Sequence, residues 1–238
     1  MQLNCRPIGL CALVSLMLVL FIILGRWQQH RAIEKELIVT QNQNRSKKKP
    51  EPLDLERMEY ASLRYLPVTV FGKYDENHQF LLDNQIKNHK VGYNVLTPVI
   101  IRNSEKVVLV DRGWVVQGLT RQLHPDISIE NTDMNAEGQV YVPFSKGFRL
   151  GGLDDGEFLW PRVIQFLDFG AMSERLGYDV LPVVIRLSPK ADDGYLRRWN
   201  IVSMGPKRHL GYAFQWYALA AAMLGILLVL ALKKKSNI

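Results

Sequence analysis

Two uncharged apolar stretches, one near each terminus, constrain this chain more than any other feature. Residues 8–24 form the first stretch and residues 210–232 the second, with 17 and 23 residues. As helices at about 1.5 Å per residue they cover roughly 25 and 35 Å, and the hydrocarbon core of a bilayer is about 30 Å thick. We therefore expect an integral membrane protein with two spanning helices and one soluble domain between them.

The flanks of the two stretches predict the topology. No small-x-small cleavage site follows the first stretch, and Leu10 precedes Cys11 where a lipoprotein signal needs a small residue, so an uncleaved anchor is favoured over a cleaved signal peptide. The seven residues before it leave no room for a mitochondrial presequence, which favours a bacterial origin. Lysines 233–235 follow the second stretch, and short basic tails stay in the cytoplasm. We expect an inner-membrane protein with both termini in the cytoplasm and the domain in the periplasm.

Charge and cysteine content exclude several classes of function. Arg6 and lysines 233–235 supply four of the seven net positive charges, and no basic patch with interleaved aromatic residues occurs, so no nucleic-acid partner is expected. Anionic membrane lipid is a sufficient partner for the lysines of the tail. Cys5 and Cys11 are the only cysteines and form no C-x-x-C motif, which excludes thiolate metal sites, thioredoxin-like chemistry and c-type haem attachment.

The region between the two stretches predicts a β-rich domain. Runs with a period of two are found at residues 65–71, 91–101, 106–116, 138–142 and 180–187, with a hairpin loop at 102–105. A helix is predicted at 167–176, closed by Gly177 in the left-handed conformation. Hairpin-spaced strands with few helices favour a mainly antiparallel α+β domain, with a small barrel as one form of it.

These patterns divide the chain into five segments. A polar, Pro-containing stretch at residues 41–52 is typical of a linker before the domain. The predicted segments are a first transmembrane helix (8–24), a membrane-proximal helix and linker (25–64), an extracytoplasmic β-rich domain (65–206), a second transmembrane helix (207–232) and a basic cytoplasmic tail (233–238).

The sequence contains no set of residues typical of an enzyme. It has no G-x-S-x-G elbow, no P-loop, no G-x-G-x-x-G after a strand and no H-E-x-x-H motif. His78, His89 and His124 stand alone in polar segments, where a surface position is the ordinary interpretation. We therefore expect a protein that binds or positions other molecules and is not an enzyme.

The start of the second apolar stretch carries the most informative residues. Pro206 suits the first turn of a helix, and His209, Tyr212 and Trp216 follow at spacings that share one helical face. An imidazole at the membrane surface with an aromatic wall deeper in the bilayer suits a flat, metal-centred ligand. Aromatic residues also gather at membrane interfaces as plain anchors, as Trp27 does at the exit of the first stretch. The residues alone leave both interpretations open.

Six motifs along the chain resemble a known family. They occur in the order Gly25-x-Trp27-Gln28-x-x-Arg31, residues 82–86 (LDNQI), 92–98 (GYNVLTP), 108–115 (VLVDRGWV), Trp160-Pro161 and residues 209–217 (HLGYAFQWY). Together, between two terminal apolar stretches, they resemble the surfeit-locus family of cytochrome c oxidase assembly factors. The chain departs from the family pattern at Asp111, where asparagine is common.

The resemblance implies a function in oxidase assembly. Members of the family assist assembly of the haem–copper oxidase core subunit, and bacterial members are reported to bind haem a. His209 matches the proposed ligand of the haem iron, and Trp216 matches an aromatic residue implicated in the haem site. We expect a haem a chaperone whose partners are the core subunit and haem A synthase. A scaffold that holds the nascent core subunit without any cofactor is the alternative.

Further residues receive expected roles in the same haem-chaperone hypothesis. Trp27 and Arg31 would complete the haem site from the first helix, with Arg31 pairing with a haem propionate, and Tyr212 would line it from the second. Within the domain, Arg112 and Trp114 would hold the two helices in register or contact the oxidase subunit. Gln28 is expected, like these two, to have a structural or partner-binding role.

Overall fold

The computed structural model describes residues 5–54, 59–118, 120, 123–143, 160–192 and 194–236. The chain separates into two compact units, residues 1–42 with 200–238 and residues 43–199. In chain order the elements are α1 (Cys5–Ser46), β1 (Glu51–Pro52), a 3-10 helix (Tyr60–Leu63), β2 (Pro67–Tyr74), β3 (Phe80–Lys87), β4 (Lys90–Ile101), β5 (Lys106–Val116), β6 (Asp133–Tyr141), β7 (Arg162–Ile164), α2 (Phe169–Leu176), β8 (Asp179–Leu187) and α3 (Pro206–Ser236).

The first unit is built mainly from α1 and α3. Segments of both, Ala12–Ser46 and Pro206–Val229, are long and apolar enough to cross a membrane, which suggests membrane association. Few residues of their apolar windows are buried within the chain, 6% and 11%, unlike a core helix of a soluble domain. The prediction of an apolar helix near each terminus is confirmed.

The two helices differ from the predicted bounds in different ways. Pro206 is the first residue of α3, as predicted from its missing N–H. The other helix, α1, continues without a break for 42 residues and ends at Ser46. It therefore includes the beginning of the polar segment 41–52 that the sequence predicts as a linker. Glutamine, asparagine and arginine can continue a helix when no proline intervenes. The first proline after the apolar stretch is Pro50, which follows the end of α1.

The second unit contains one eight-stranded mixed sheet. Its strand order is β1-β2-β6-β8-β5-β4-β3-β7, and the pairs β1–β2, β3–β7 and β5–β8 are parallel. A short further pairing of Gly72–Tyr74 with Val99–Ile101 curls the sheet. The expectation of a small barrel is wrong: β1 and β7 stand at the two ends of the sheet, and within the described residues they do not pair with each other.

Burial explains why β4 and β5 form the centre of the sheet. Both are almost continuously buried along their length, and runs of valine, leucine and isoleucine suit strands covered on both faces. One face packs α2, whose Met172 is fully buried against Val107 and Leu109. At the ends of α2, Asp168 accepts a hydrogen bond from Ala171 N, and Gly177 takes φ 71°, so the predicted left-handed cap is confirmed.

Candidate functional site

His209 forms the central polar contact of the helical unit. It lies in the first turn of α3 and is 8% exposed. Its Nδ1 is 2.8 Å from Oε1 of Gln28 on α1. An amide oxygen only accepts hydrogen bonds, so the neutral imidazole donates from Nδ1 and carries its lone pair on Nε2. This contact joins His209, which the sequence predicts as a ligand, to Gln28, for which it predicts only a structural or partner-binding role.

The free nitrogen of His209 has the chemistry of a metal ligand. No hydrogen bond from Nε2 to another described residue is found. Histidine ligands of metals typically donate their other ring N–H to an oxygen, which fixes the tautomer and the direction of the ring. The pair His209–Gln28 therefore has the arrangement of a histidine that could hold a metal ion through Nε2.

An aromatic contact lies deeper along the same two helices. Trp216 stacks on Phe21, with ring centroids 5.7 Å apart and an angle of 30° between the planes. Tyr217 covers Gly25, where an added Cβ would come within 2.6 Å of the tyrosine ring. The Tyr217 hydroxyl donates to Oε1 of Gln29 at 3.4 Å. Aromatic rings of α3 thus pack directly on α1, and the glycine makes room for one of them.

The contacting residues, and the buried alanines in register with them, repeat at the same interval on both helices. Buried Ala213 and Ala220 follow His209 after four and eleven residues, and buried Ala32 follows Phe21 after eleven. The resulting faces are Phe21, Gly25, Gln28 and Ala32 on α1, and His209, Ala213, Trp216 and Ala220 on α3. Small residues at these positions allow close approach of two apolar helices. The helix face predicted through His209 and Trp216 is therefore the one that packs on α1.

Three other predicted haem-site residues lie on the outside of the helical unit. Tyr212 is 45% exposed and Trp27 is 53% exposed. Arg31 donates from Nη1 to Oε2 of Glu34, one turn along α1, at 2.6 Å. Its side chain is 40% exposed, so this pair contributes little to stability and can exchange for another anion. These positions do not place the three residues against His209, and their haem roles stay predictions.

Arg112 lies inside the β-rich unit and is 2% exposed. Its Nη1 donates to the backbone oxygen of Ile127 at 3.2 Å and to Oε1 of Gln79 at 3.4 Å. Its guanidinium carbon also lies 5.6 Å from the ring centroid of Tyr74 and 5.1 Å from that of Tyr195. A planar cation between two aromatic rings is favoured over a lysine at such a site. Its burial favours a structural role in the domain over direct contact with a partner.

Trp114 holds the chain segment that leads out of the domain. It is 9% exposed, and its Nε1 donates to the backbone oxygen of Gln85 at 2.8 Å. The indole covers Gly92, where an added Cβ would approach it to 2.6 Å. Backbone hydrogen bonds of 3.0 and 3.2 Å join Trp114 to Leu196 in both directions. This tryptophan therefore fixes the segment that follows β8, about ten residues before α3 begins.

Asp111 is a buried carboxyl group that the sequence marked only as a departure from the family pattern. It accepts from Nδ2 of Asn94 at 2.8 Å and from the backbone N–H of Gly113 at 3.1 Å. Burial raises its pKa to about 6, although the nearby Arg186 guanidinium acts in the opposite direction. The Oδ1 atom of Asn94 is buried without a hydrogen-bond partner within the described residues. Asp111 thus titrates close to neutral pH inside the domain.

Sequence reasoning missed the α1 side of the helical contact. Phe21, Gly25 and Gln28 are spaced by four and three residues, the same interval that singled out the face of α3. That interval was a usable signal, because two helices that pack together each present such a face. Nothing local in the sequence, however, indicated that Gln28 would meet His209, 181 residues away.

Comparisons with known proteins give one consistent result. The model of the SURF1 family matches residues 15–221. Surfeit locus protein 1 of Xenopus tropicalis is 25% identical over 222 residues, covering 84% of this chain and 68% of the relative. The corresponding protein of Rattus norvegicus is 22% identical over 216 residues, with the same coverage. A SURF1-like protein of Rickettsia bellii is 24% identical over 225 residues, covering 90% of this chain and 87% of the relative.

Proposed function

Because the chain belongs to the SURF1 family, we propose that it assists the assembly of cytochrome c oxidase. Membership confirms the resemblance carried by the six motifs. The family acts in assembly and is not known for catalysis, which agrees with the absence of enzyme motifs from the sequence. Two apolar helices suggest that the protein works at a membrane. The proposed setting is the bacterial inner membrane, with both termini in the cytoplasm and the β-rich domain in the periplasm.

We further propose that the cargo is haem a, held by His209 and delivered to the oxidase core subunit. The observation that supports this most is the hydrogen bond between His209 Nδ1 and Gln28 Oε1, because it leaves Nε2 as a free acceptor. The cargo supplies an iron centre that can take an axial nitrogen ligand. One histidine, in place of two, suits a carrier that must release what it binds.

The residues around His209 mainly position its imidazole ring and the two helices. Gln28 fixes the tautomer, and the small side chains of Ala213 and Gly25 let the two helices approach. Trp216 flanks the site in this proposal, although one face of its indole is taken by Phe21. Loading through Nε2 therefore takes place at the surface of the helix pair and needs no separation of the two aromatic rings.

The proposal also assigns outer roles to the exposed residues. Arg31 exchanges Glu34 for a haem propionate, which its half-exposed ion pair permits. Trp27 and Tyr212 line the approach from the lipid side. Haem A synthase is the proposed donor, and the core subunit is the acceptor.

The pigment content of the purified protein tests the proposal. Wild-type protein from cells that make haem a is expected to show a Soret band, and His209→Ala is expected to lose or shift it. His30→Ala is the matched control, since His30 is an exposed histidine of α1 that pairs with Glu34, at 3.3 Å. Equal haem content in wild type and His209→Ala would show that His209 is not the ligand.

A cofactor-free scaffold is the second candidate, and the burial of His209 favours it. A histidine that is 8% exposed and bonded to the neighbouring helix also serves as a purely structural link. Under this alternative, His209→Ala leaves the haem content of the oxidase normal. Substitutions on the surface of the domain would then break co-purification with the core subunit. Measuring both quantities in the same strains separates the two functions.

A further inference from the structure

One end of the sheet presents apolar side chains to the surface. The turn between β3 and β4 is flanked by Ile86, 67% exposed, and Val91, 45% exposed. These two residues are direct partners across the hairpin, so their side chains project from the same face. We name residues 86–91 the 86–91 hairpin. Together they form a small exposed apolar patch at the tip of the hairpin.

The segments that meet at the 86–91 hairpin carry basic residues, while the buried carboxyl of Asp111 acts on Lys87 from inside the domain. Gln117 N donates to Val91 O at 3.1 Å, and Nζ of Lys87 donates to Arg198 O at 2.5 Å, so three segments meet at this place. These segments, residues 85–92, 115–118 and 197–199, contain two lysines, two arginines and one histidine and no acidic residue. Lys90 and Arg198 are exposed.

The opposite end of β4 has a different character. Its turn, residues 102–105, contains Arg102 and Glu105, and Lys106 beyond it pairs with Asp179 of β8. No residue of this turn is apolar. The twelve residues of β4 place the two turns about 40 Å apart. The apolar and basic character is thus confined to one end of the sheet.

The 86–91 hairpin is also linked to a candidate membrane helix. Arg198, which accepts the hydrogen bond from Lys87, stands eight residues before Pro206, where α3 begins. The chain between them contains no acidic residue. Seven residues therefore separate Arg198 from a helix that is long and apolar enough to cross a membrane.

We propose that the 86–91 hairpin docks on the surface of a bilayer that contains anionic phospholipid. Ile86 and Val91 enter the boundary between headgroups and acyl chains, and Lys87, Lys90 and Arg198 lie against phosphate groups. The docked hairpin holds the β-rich domain at the membrane. This inference is independent of haem binding, since it uses none of the residues proposed to hold haem.

Thiol accessibility of the full chain in vesicles tests the docking. Asn88→Cys and Asn103→Cys, each in a Cys5→Ser and Cys11→Ser background, place one thiol at each end of β4. The two asparagines are matched, because both are exposed turn residues with positive φ, 50° and 59°. The probe is a water-soluble maleimide, applied on the domain side of vesicles of phosphatidylcholine with or without phosphatidylglycerol. Circular dichroism in each lipid mixture verifies that both variants are folded.

The docked hairpin predicts protection at one site only. In vesicles with phosphatidylglycerol, the thiol from Asn88→Cys is expected to react more slowly than the thiol from Asn103→Cys. Adding Lys90→Ala is expected to lower the ratio of docked to free hairpin about fivefold, the effect of one cation near an anionic surface. Equal rates at the two sites would overturn the proposal, as would protection that does not depend on phosphatidylglycerol. Protection that appears only after the oxidase core subunit is added would assign the surface to a protein partner instead.

Discussion

The imidazole of His209 on α3 is hydrogen-bonded to the side-chain amide of Gln28 on α1, with 2.8 Å between Nδ1 and Oε1. This bond does two things at once: it connects the two apolar helices, and it leaves Nε2 as the acceptor nitrogen of the ring. A change at Gln28 therefore acts on any ligand of His209 without touching that ligand.

Gln28→Leu is expected to weaken haem binding about 10–100-fold while His209 remains in place. Leucine cannot accept from Nδ1–H, so the ring loses its fixed tautomer and its direction. Titration of the purified protein with haem gives the affinity. The ¹⁵N chemical shifts of the His209 ring in haem-free protein report the tautomer directly.

Gln29→Leu is the matched control for this change. Gln29 is the next residue of α1 and accepts a long hydrogen bond, 3.4 Å from the Tyr217 hydroxyl. It is expected to keep wild-type haem affinity and an unchanged imidazole spectrum. If Gln28→Leu keeps the Nδ1–H tautomer and wild-type affinity, Gln28 does not position His209.

Local sequence patterns predicted part of the sheet well. The runs at residues 91–101 and 106–116 were enough to locate β4 and β5, because both are rich in the β-branched residues that suit buried strands. The neighbouring strand β3 was missed. Asn84 takes φ 58° there, and the register shifts between Leu82 and Gln85, so the alternation that marks a strand is broken.

The site was predictable only where its residues share one helix. His209 and Trp216 are seven residues apart, so the period of the helix places them on one face. Their partners Gln28 and Phe21 lie on the other apolar helix, and no periodicity relates two segments so distant in the chain. Only the packing of the two helices selects which residue of α1 each side chain meets.

Gly25→Ala is expected to destabilise the packing of the helix pair by about 1–3 kcal/mol. The added Cβ would lie 2.6 Å from the ring of Tyr217, so the ring or the helix must move. Gly211→Ala on α3 is the control, because nothing lies within 4 Å of its added Cβ. Both changes improve helix propensity equally, and the difference between them isolates the clash.

Unfolding of the detergent-solubilised protein, followed by circular dichroism, measures this difference. Tyr217→Leu in the Gly25→Ala background is expected to restore part of the lost stability, since the smaller side chain vacates the space. Equal stability of Gly25→Ala and Gly211→Ala would show that the packing of the Tyr217 ring does not require a glycine at residue 25.

Asp111→Asn is expected to remove a pH dependence from the stability of the domain. The folded pKa of Asp111 is about 6, above its ordinary value of 3.8, so the folded state holds a proton that the unfolded state has lost. The free energy of unfolding from this group therefore falls as pH rises from about 4 to about 6, by about 3 kcal/mol in total. Asparagine has no such titration.

The quantity to measure is the difference in unfolding free energy between wild type and Asp111→Asn, from urea titrations at several pH values. As pH rises from about 4 to about 6, the wild type is expected to lose stability relative to Asp111→Asn. Above about pH 7 the difference is expected to be constant. Asn94 can accommodate the change by rotating its amide, because its unpartnered Oδ1 then accepts from the new side chain. A difference that does not vary with pH would mean that Asp111 is already ionised at pH 4.

Arg112→Lys is expected to lower the unfolding free energy of the domain by about 2 kcal/mol, although the charge is kept. Lysine cannot place a planar cation between the rings of Tyr74 and Tyr195, and it reaches Gln79 and Ile127 less well. Arg102→Lys in an exposed turn is the control and is expected to be neutral.

Urea unfolding gives the stability, and co-purification with the oxidase core subunit gives partner binding. A structural role predicts that binding falls only with the folded fraction. Wild-type stability together with lost binding would instead make Arg112 a contact residue, despite its burial.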